Sequence, residues 1–432
     1  MKSDLQRLTS RSGVPDFAKS NGFIWATGIE DTFLPEPHPK TGRILDEYSL
    51  SEHYSRWKED LGLMPELQVS AARYGLPWYK LSPSHGNWDW SFADGAIDAL
   101  TAYGIEPIVD LVHYGTPEWM EGSFLNPDYP SYVAEYASEF ASRYKGRVRW
   151  YTPFNEPRIS AYYSGKLGIW PPHGRGWKGF VSVLTQICKG IVLSDKALKA
   201  VDPEIVHCHV DATDIYEPTD QNAVEVAAER QEIVFLALDL LTGRFKGADH
   251  PLYGWAIRHG LSPSDLEWFQ ANRCTPDVLG INLYPLFSLK SVKRTGNRVS
   301  MRMPYAAGRE IVERLGHSYW ERYRIPLMVT ETASAGSVER RAKWLNESVA
   351  ACRKLRSQGV PMIGYTWWPM FSLVAWAYLG SHRDISNYLV RMGLWDLDAD
   401  LNRVPTRLVD LFAQHSQARF EPVGTRESSY VS

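Results

Sequence analysis

Two carboxylates stand in matching contexts. The run from Val148 to Phe154 is largely apolar and passes straight into Asn155-Glu156-Pro157. A second run, Ile325-Pro326-Leu327-Met328-Val329-Thr330, ends in Glu331. Each reads as an apolar strand that delivers a glutamate at its C-terminal end. In a closed α/β barrel those ends face the active site, so both carboxylates would share one mouth. Glu156 has an amide on one side and a strand-ending proline on the other, which suits a fixed acid. The competing reading is a loop carboxylate that caps a helix. Two carboxylates at one mouth are what retaining glycoside hydrolysis requires. One attacks the anomeric carbon and the other protonates the leaving oxygen, with the carboxyl groups about 5–5.5 Å apart.

His207-Cys208-His209 offers different chemistry. On a strand, residues two apart share a face, so both imidazoles could bind one metal, as in a barrel metallohydrolase. Two ligands do not complete a site of three or four. The alternative is rings hydrogen-bonded in the barrel wall, lining the sugar site.

The elements that would position these groups alternate short apolar runs with longer amphipathic stretches. Expected strands are Phe23–Thr27, Tyr74–Leu81, Glu106–His113, Arg149–Phe154, Ile205–Asp211, Val278–Leu283, Leu327–Thr330 and Met362–Trp367. Between them lie helical segments such as Tyr132–Tyr144, Phe180–Ala200, Val224–Leu241 and Val338–Arg356. Eight such units predict an α/β chain folded as one (β/α)8 TIM barrel with loop insertions. Residues 1–20 read as an N-terminal extension, 21–417 as the barrel and 418–432 as a tail with frayed character. The polar stretch Ser288–Arg309 is expected to be a loop insertion near the mouth.

Composition narrows the setting. The 432 residues are 44% hydrophobic, enough for a large core, and the net charge of −3 implies neither nucleic-acid nor membrane binding. No signal-like run or stretch of 18 apolar residues is present. The four cysteines, Cys188, Cys208, Cys274 and Cys352, are scattered and form no CxxC pair, which fits a reducing cytoplasmic compartment. Seventeen Trp and 23 Tyr could supply flat faces for sugar stacking as well as core.

From Phe23 to Asp398 the ordered motifs resemble glycoside hydrolase family 1, the β-glucosidase family. Arg73 to Pro83 resembles its strand-two segment and Gly104 to Tyr114 its strand three. Thr152 to Pro157 resembles the acid/base motif and Asp277 to Tyr284 strand six. Gly364 to Trp368, followed by Arg391 to Trp395, resembles strand eight. The resemblance implies a cofactor-free retaining β-glycosidase acting on a small glycoside or oligosaccharide, with Glu156 as acid/base and Glu331 as nucleophile. It implies that Arg73 favours ionised Glu331, that Tyr284 orients it, and that Asn155 holds the sugar 2-hydroxyl. Glu156 would begin protonated beside the Glu331 anion and act as base once Glu331 is glycosylated. His113, Asn282, Trp368 and Trp376 are carried over as sugar-binding positions, with Trp368 as the platform under the glycone.

Three departures bear on substrate. The first strand offers Glu30 and Asp31 where the family has a glutamine. Ala375 stands where the family has a glutamate that grips the sugar's outer hydroxyls. Thr332-Ala333-Ser334-Ala335-Gly336 follows the nucleophile in place of Asn-Gly. Glu30 and Asp31 are therefore expected to bind the glycone, and the glycone pocket to differ from that of ordinary β-glucosidases. The phospho-sugar branch also lacks that glutamate, but its phosphate-binding set is not evident here. Arg383 could meet an anionic sugar or simply be solvated. A sugar-binding barrel with little hydrolysis and a transglycosylase are the alternative functions.

Overall fold

The computed structural model describes residues 22–418 and 420. The expected extension 1–20 lies outside the described residues, as does the tail apart from 418 and 420. Eight parallel strands close into a barrel: β1 (Ile24–Gly28), β2 (Ala71–Gly75), β3 (Glu106–Asp110), β4 (Trp150–Thr152), β5 (Val206–Ala212), β6 (Val278–Asn282), β7 (Leu327–Glu331) and β8 (Met362–Trp367). Neighbours in sequence are neighbours in space, and β1 pairs with both β2 and β8 to close the ring. Long helices separate the strands: α1 (His53–Gly62), α2 (Ser91–Ala102), α3 (Tyr129–Arg143), α4 (Gly176–Val201), α5 (Val224–Leu241), α6 (Arg309–Tyr323), α7 (Val338–Ser357) and, after β8, α8 (Leu408–Gln417).

The strands are buried on both faces, as a parallel sheet wrapped in helices must be. Alternate residues split between two cores. Ile24, Ala26, Ala71, Ile108, Trp150, Val206, Cys208, Val210, Val278 and Met328 fill the barrel interior. Residues such as Leu327, Val329, Tyr365 and Trp367 pack outward against the helices. The interior apolar layers end near the C-terminal edge, where Arg73, Asp110, Asn282 and Glu331 take over. All four cysteines are free and buried. Among the described residues no helix is long and apolar enough to cross a membrane.

Two expectations need correction. The second strand is Ala71–Gly75, and Trp78–Leu81 is a short helix. The apolar look of Leu76-Pro77-Trp78 outweighed a strand made of two alanines and an arginine. Pro77, which cannot donate to a ladder, instead precedes the helix. Within 288–309 the chain forms an antiparallel hairpin, Leu289–Thr295 with Arg298–Arg302, rather than a loop. It extends Ile215–Pro218 into a three-stranded sheet. The Gly296-Asn297 turn and the polar-apolar alternation of the second arm, Arg298–Arg302, carried that signal.

Candidate active site

Glu331 owes its direction to an irregularity. Strict alternation along β7 points Met328 into the barrel, Val329 out, Thr330 in and Glu331 out. The register against β6 shifts between Val329, opposite Ile281, and Glu331, opposite Asn282. This bulge lets Thr330 and Glu331 both face the interior. The Thr330 hydroxyl donates to Asn282 Oδ1 at 2.7 Å. Glu331 Oε1 takes a contact from Arg73 Nη1, and Tyr284 donates its hydroxyl to Oε2 at 2.7 Å. Arg73 is fully buried and also clamps Asp110, with Nη2 to Oδ2 at 2.5 Å and Nε to Oδ1 at 3.2 Å. Burial pushes Asp110 up, but Arg73 and His113 outweigh it and hold the carboxyl below its ordinary value. Burial likewise pushes Glu331 up, to about 8, with Arg73 pulling down and the Glu156 carboxylate adding to the rise. Arg73 thus acts in the expected direction without overcoming burial.

Glu156 stands just beyond β4. Asn155 bridges to Val210 of β5, and the Glu156 N–H donates to the Val210 carbonyl at 3.1 Å. Pro157 then opens a short helix at Pro157–Ser160. Glu156 itself is left-handed, with φ 49°. An L-residue there costs roughly 1–2 kcal/mol, which the surrounding contacts must hold in place. Both carboxyl oxygens are occupied. Asn282 Nδ2 donates to Oε1 at 2.7 Å and the Tyr114 hydroxyl to Oε2 at 2.5 Å. Arg73 Nη2 donates to Asn155 Oδ1 at 2.8 Å, and Asn282 Nδ2 lies 3.5 Å from the same oxygen. A single chain of contacts therefore runs from Glu331 through Arg73, Asn155 and Asn282 to Glu156. Both glutamates are nearly buried, at 4% and 6% exposure.

The rest of the mouth divides the expected sugar-binding positions. Trp368 lies parallel to the His113 ring at 6.0 Å, and the Arg73 guanidinium sits 4.8 Å over the indole. The Trp368 Nε1 donates to Glu30 Oε2 at 3.1 Å, which sets Glu30 beside the indole. Asp31, expected at the glycone, is instead fully buried, and its Oδ1 lies 2.6 Å from His113 Nδ1. Gly75 makes room for it: a Cβ there would stand 1.8 Å from Asp31 Oδ2. Burial pushes Asp31 up to about 7 while His113 pulls it down. Asp31 thus supports His113 from behind, beyond the reach of a sugar. Burial pulls the His113 imidazole down, but Asp31 and Asp110 outweigh it and hold it well above its ordinary value; its Nε2 lies 2.8 Å from the Asn155 amide nitrogen. Ala375 is half-buried and starts the turn that carries Trp376. Trp376 packs with Tyr114, Tyr163 and Trp170 in an aromatic cluster. Thr332, after Glu331, accepts from Trp344 Nε1 at 2.9 Å and fixes the chain beneath Trp368. Arg383 is exposed, and its carbonyl accepts from Arg43.

Sequence reasoning missed Asp110 and Tyr114. Asp110 was detectable as a lone carboxylate in the apolar run Ile108-Val109-Asp110-Leu111-Val112. Tyr114 carried no such signal, because its role depends on a left-handed turn.

His207 and His209 do share a face, but it is the outer one, since Val206, Cys208 and Val210 occupy the interior. They line no sugar site. His207 Nδ1 lies 3.0 Å from Asp195 Oδ1 of α4, and burial pulls His209 down to about 3, leaving it neutral. Asp195, His207 and Cys274 bring possible ligand atoms within 4.8 Å of one another, but Asp195 is also paired with Lys199 at 2.8 Å.

The chain matches the sequence profile of glycosyl hydrolase family 1 over residues 25–335. Beta-glucosidase 47 of Arabidopsis thaliana is 25% identical over 416 residues, covering 83% of this chain and 74% of the relative. An aryl-phospho-β-D-glucosidase of Bacillus subtilis is 24% identical over 379 residues, 75% of this chain and 77% of the relative. In fold, the chain is similar to a family 1 β-glucosidase from Thermotoga maritima with a TM-score of 0.81 at 19% identity, covering 93% of this chain and 98% of that one. The Thermotoga enzyme also has a solved complex with deoxynojirimycin, matched with a TM-score of 0.80 at 20% identity, over 93% of this chain and 98% of that one. With the profile running through most of the barrel, the chain belongs to glycosyl hydrolase family 1 and is a β-glucosidase-like hydrolase of O-glycosyl bonds.

Proposed function

We propose that the protein is a retaining β-glycosidase in which Glu331 is the nucleophile and Glu156 the acid/base. The observation that carries this reading is the asymmetric support of two carboxyls in one connected site. Glu331 is held by a guanidinium and a phenol, and Glu156 by two neutral donors. The productive arrangement keeps the charge on Glu331, beside Arg73, and the proton on Glu156. Glu331 attacks the anomeric carbon as Glu156 protonates the departing oxygen. Glu156 then takes a proton from water as the water displaces Glu331. Asn155 and His113 would bind ring hydroxyls, and Trp368 would underlie the sugar.

The glycone grip would differ from that of a glucosidase. Ala375 offers no carboxylate, and Glu30 is the remaining acid at the outer hydroxyls. A charge-assisted hydrogen bond contributes about 1.5–3 kcal/mol. Its loss through the transition state lowers efficiency by roughly one to two orders of magnitude. An aryl β-glucoside should accordingly be a poor substrate beside other aryl β-glycosides. Deoxynojirimycin, which the Thermotoga enzyme binds, is a direct probe of the same subsite.

The mechanism is tested with Glu331→Gly and azide. Removal of the side chain should abolish hydrolysis and leave room for azide, giving an α-glycosyl azide. If Glu156→Ala is the variant that yields the α-azide, the two roles are exchanged.

A further inference from the structure

We propose that Tyr114 is a positioning residue for Glu156, holding its carboxyl through both the acid and the base step. The inference rests on Glu156 being the acid/base. Tyr114 and Glu156 are both left-handed, with φ 72° and 49°, and they are directed at each other. Their contact is 2.5 Å, and Tyr114 is 3% exposed. The turn at Tyr114 is imposed from outside the site. Gly115 presses on the Phe33 carbonyl, which a Cβ would approach to 1.7 Å, and the Phe33 N–H donates to the His113 carbonyl. The ring is then fixed edge-on to His113 and packed against Trp170 and Trp376. Little of this serves packing alone, since an alternative turn would bury the same ring without aiming its hydroxyl.

The chemistry of the two partners on Glu156 differs. Asn282 is a fixed donor, because its Oδ1 is engaged by Thr330. The Tyr114 hydroxyl can donate or accept. Here it donates to Oε2, which keeps the acid proton on a carboxyl lone pair free to face the leaving oxygen, and it continues to donate once that proton has gone. In deglycosylation, water forms the new bond to the anomeric carbon and the bond to Glu331 breaks, its electron pair returning to Glu331. The water proton goes to the free lone pair of Glu156, with Tyr114 still donating to Oε2. Burial and the Glu156 carboxylate push the Tyr114 phenol well above its ordinary range, so it remains a neutral hydroxyl. Glu331, Tyr284, Tyr163, Asp211 and Lys290 also act on the Glu156 carboxyl and set the background against which Tyr114 is read.

The test compares wild type with Tyr114→Phe on dinitrophenyl and phenyl β-D-glucosides, whose leaving groups do not and do need protonation. On the phenyl glucoside the basic limb of kcat/KM should move up by about one pH unit, because losing a donor favours the protonated carboxyl. On the dinitrophenyl glucoside kcat and KM should fall together by about tenfold, with a burst, and azide should restore kcat because it attacks without a general base. An unmoved limb with no response to azide overturns the proposal. If Tyr114→Phe melts below the assay temperature, 3,5-difluorotyrosine at position 114 keeps the ring and strengthens the donor. The limb should then move down, and a stationary limb counts against the proposal. Glu156→Ala separates the two levels. If azide does not rescue its dinitrophenyl turnover, the acid/base assignment itself fails. If it does while Tyr114→Phe tracks wild type, only the role of Tyr114 is lost.

Discussion

Removing the Tyr284 hydroxyl should weaken Glu331, the proposed nucleophile, in a measurable and directional way. Glu331 accepts from two donors, Arg73 on one oxygen and Tyr284 on the other at 2.7 Å. Tyr284→Phe removes one of them and leaves that oxygen facing apolar ring edge. A hydrogen bond to a charged group contributes about 1.5–3 kcal/mol, and each 1.4 kcal/mol is a factor of ten. The expected loss in kcat/KM is therefore roughly 10- to 100-fold. The pH dependence carries the sign. On the proposed mechanism Glu331 must be ionised to attack, and burial already raises it to about 8. The Tyr284 hydroxyl favours the ionised form, so its removal raises Glu331 further. About 1.4 kcal/mol corresponds to one pH unit. The acid limb of kcat/KM should shift upward by about one unit, and activity should be lost at higher pH than in wild type. The assay is kcat/KM against pH on an activated aryl β-glycoside, with thermal unfolding as a control. A rate loss with a stationary acid limb would refute the reasoning, since it would place Tyr284 on the substrate rather than on Glu331.

Two further outcomes follow from contacts elsewhere. Gly28→Ala would set a Cβ 2.0 Å from the Trp368 ring and 2.6 Å from the Arg73 carbonyl, neither free to yield. Overpacking of this kind costs about 1–3 kcal/mol, so both a lower Tm and a raised KM are expected; an unchanged KM would detach Trp368 from sugar binding. Asp195, paired with His207 and Lys199, is held down at about 2 against an ordinary 3.8, the ion pairs outweighing burial. A depressed carboxylate stabilises the fold above its unfolded pKa, and the effect disappears as pH falls through the folded value. Asp195→Asn should cost about 2 kcal/mol at neutral pH, with the difference from wild type vanishing near pH 2; equal unfolding curves at pH 7 would contradict this.

The barrel was legible because parallel strands buried on both faces leave apolar runs that amphipathic helices do not. Met362–Trp367 matches the structure at both ends, and most other strands shift by one to three residues. The second strand was hidden because Ala71-Ala72-Arg73 lacks β-branched residues and its arginine is neutralised only by partners from β3 and β7. Glu156 and Glu331 were legible as strand-end carboxylates, and the structure brings Arg73, Asn155, Asn282 and Tyr284 to them. Asp31 was misjudged because its direction depends on Gly75, far away in sequence. Tyr114 was invisible because no periodicity encodes a left-handed residue; the encounter of Gly115 with Phe33 does.

The bulge at Thr330 makes the direction of Glu331 a matter of counting. No substitution in β7 alters which way position 331 points, because the extra residue, rather than any side chain, reverses the alternation. Deleting Thr330 would return the strand to strict register and leave the glutamate two residues beyond Met328, still facing the interior. The glutamate would keep its direction, while Asn282 lost the hydroxyl that engages its Oδ1. The extra residue therefore lets one strand end supply two adjacent polar side chains to the mouth, Thr330 for Asn282 and Glu331 for Arg73 and Tyr284.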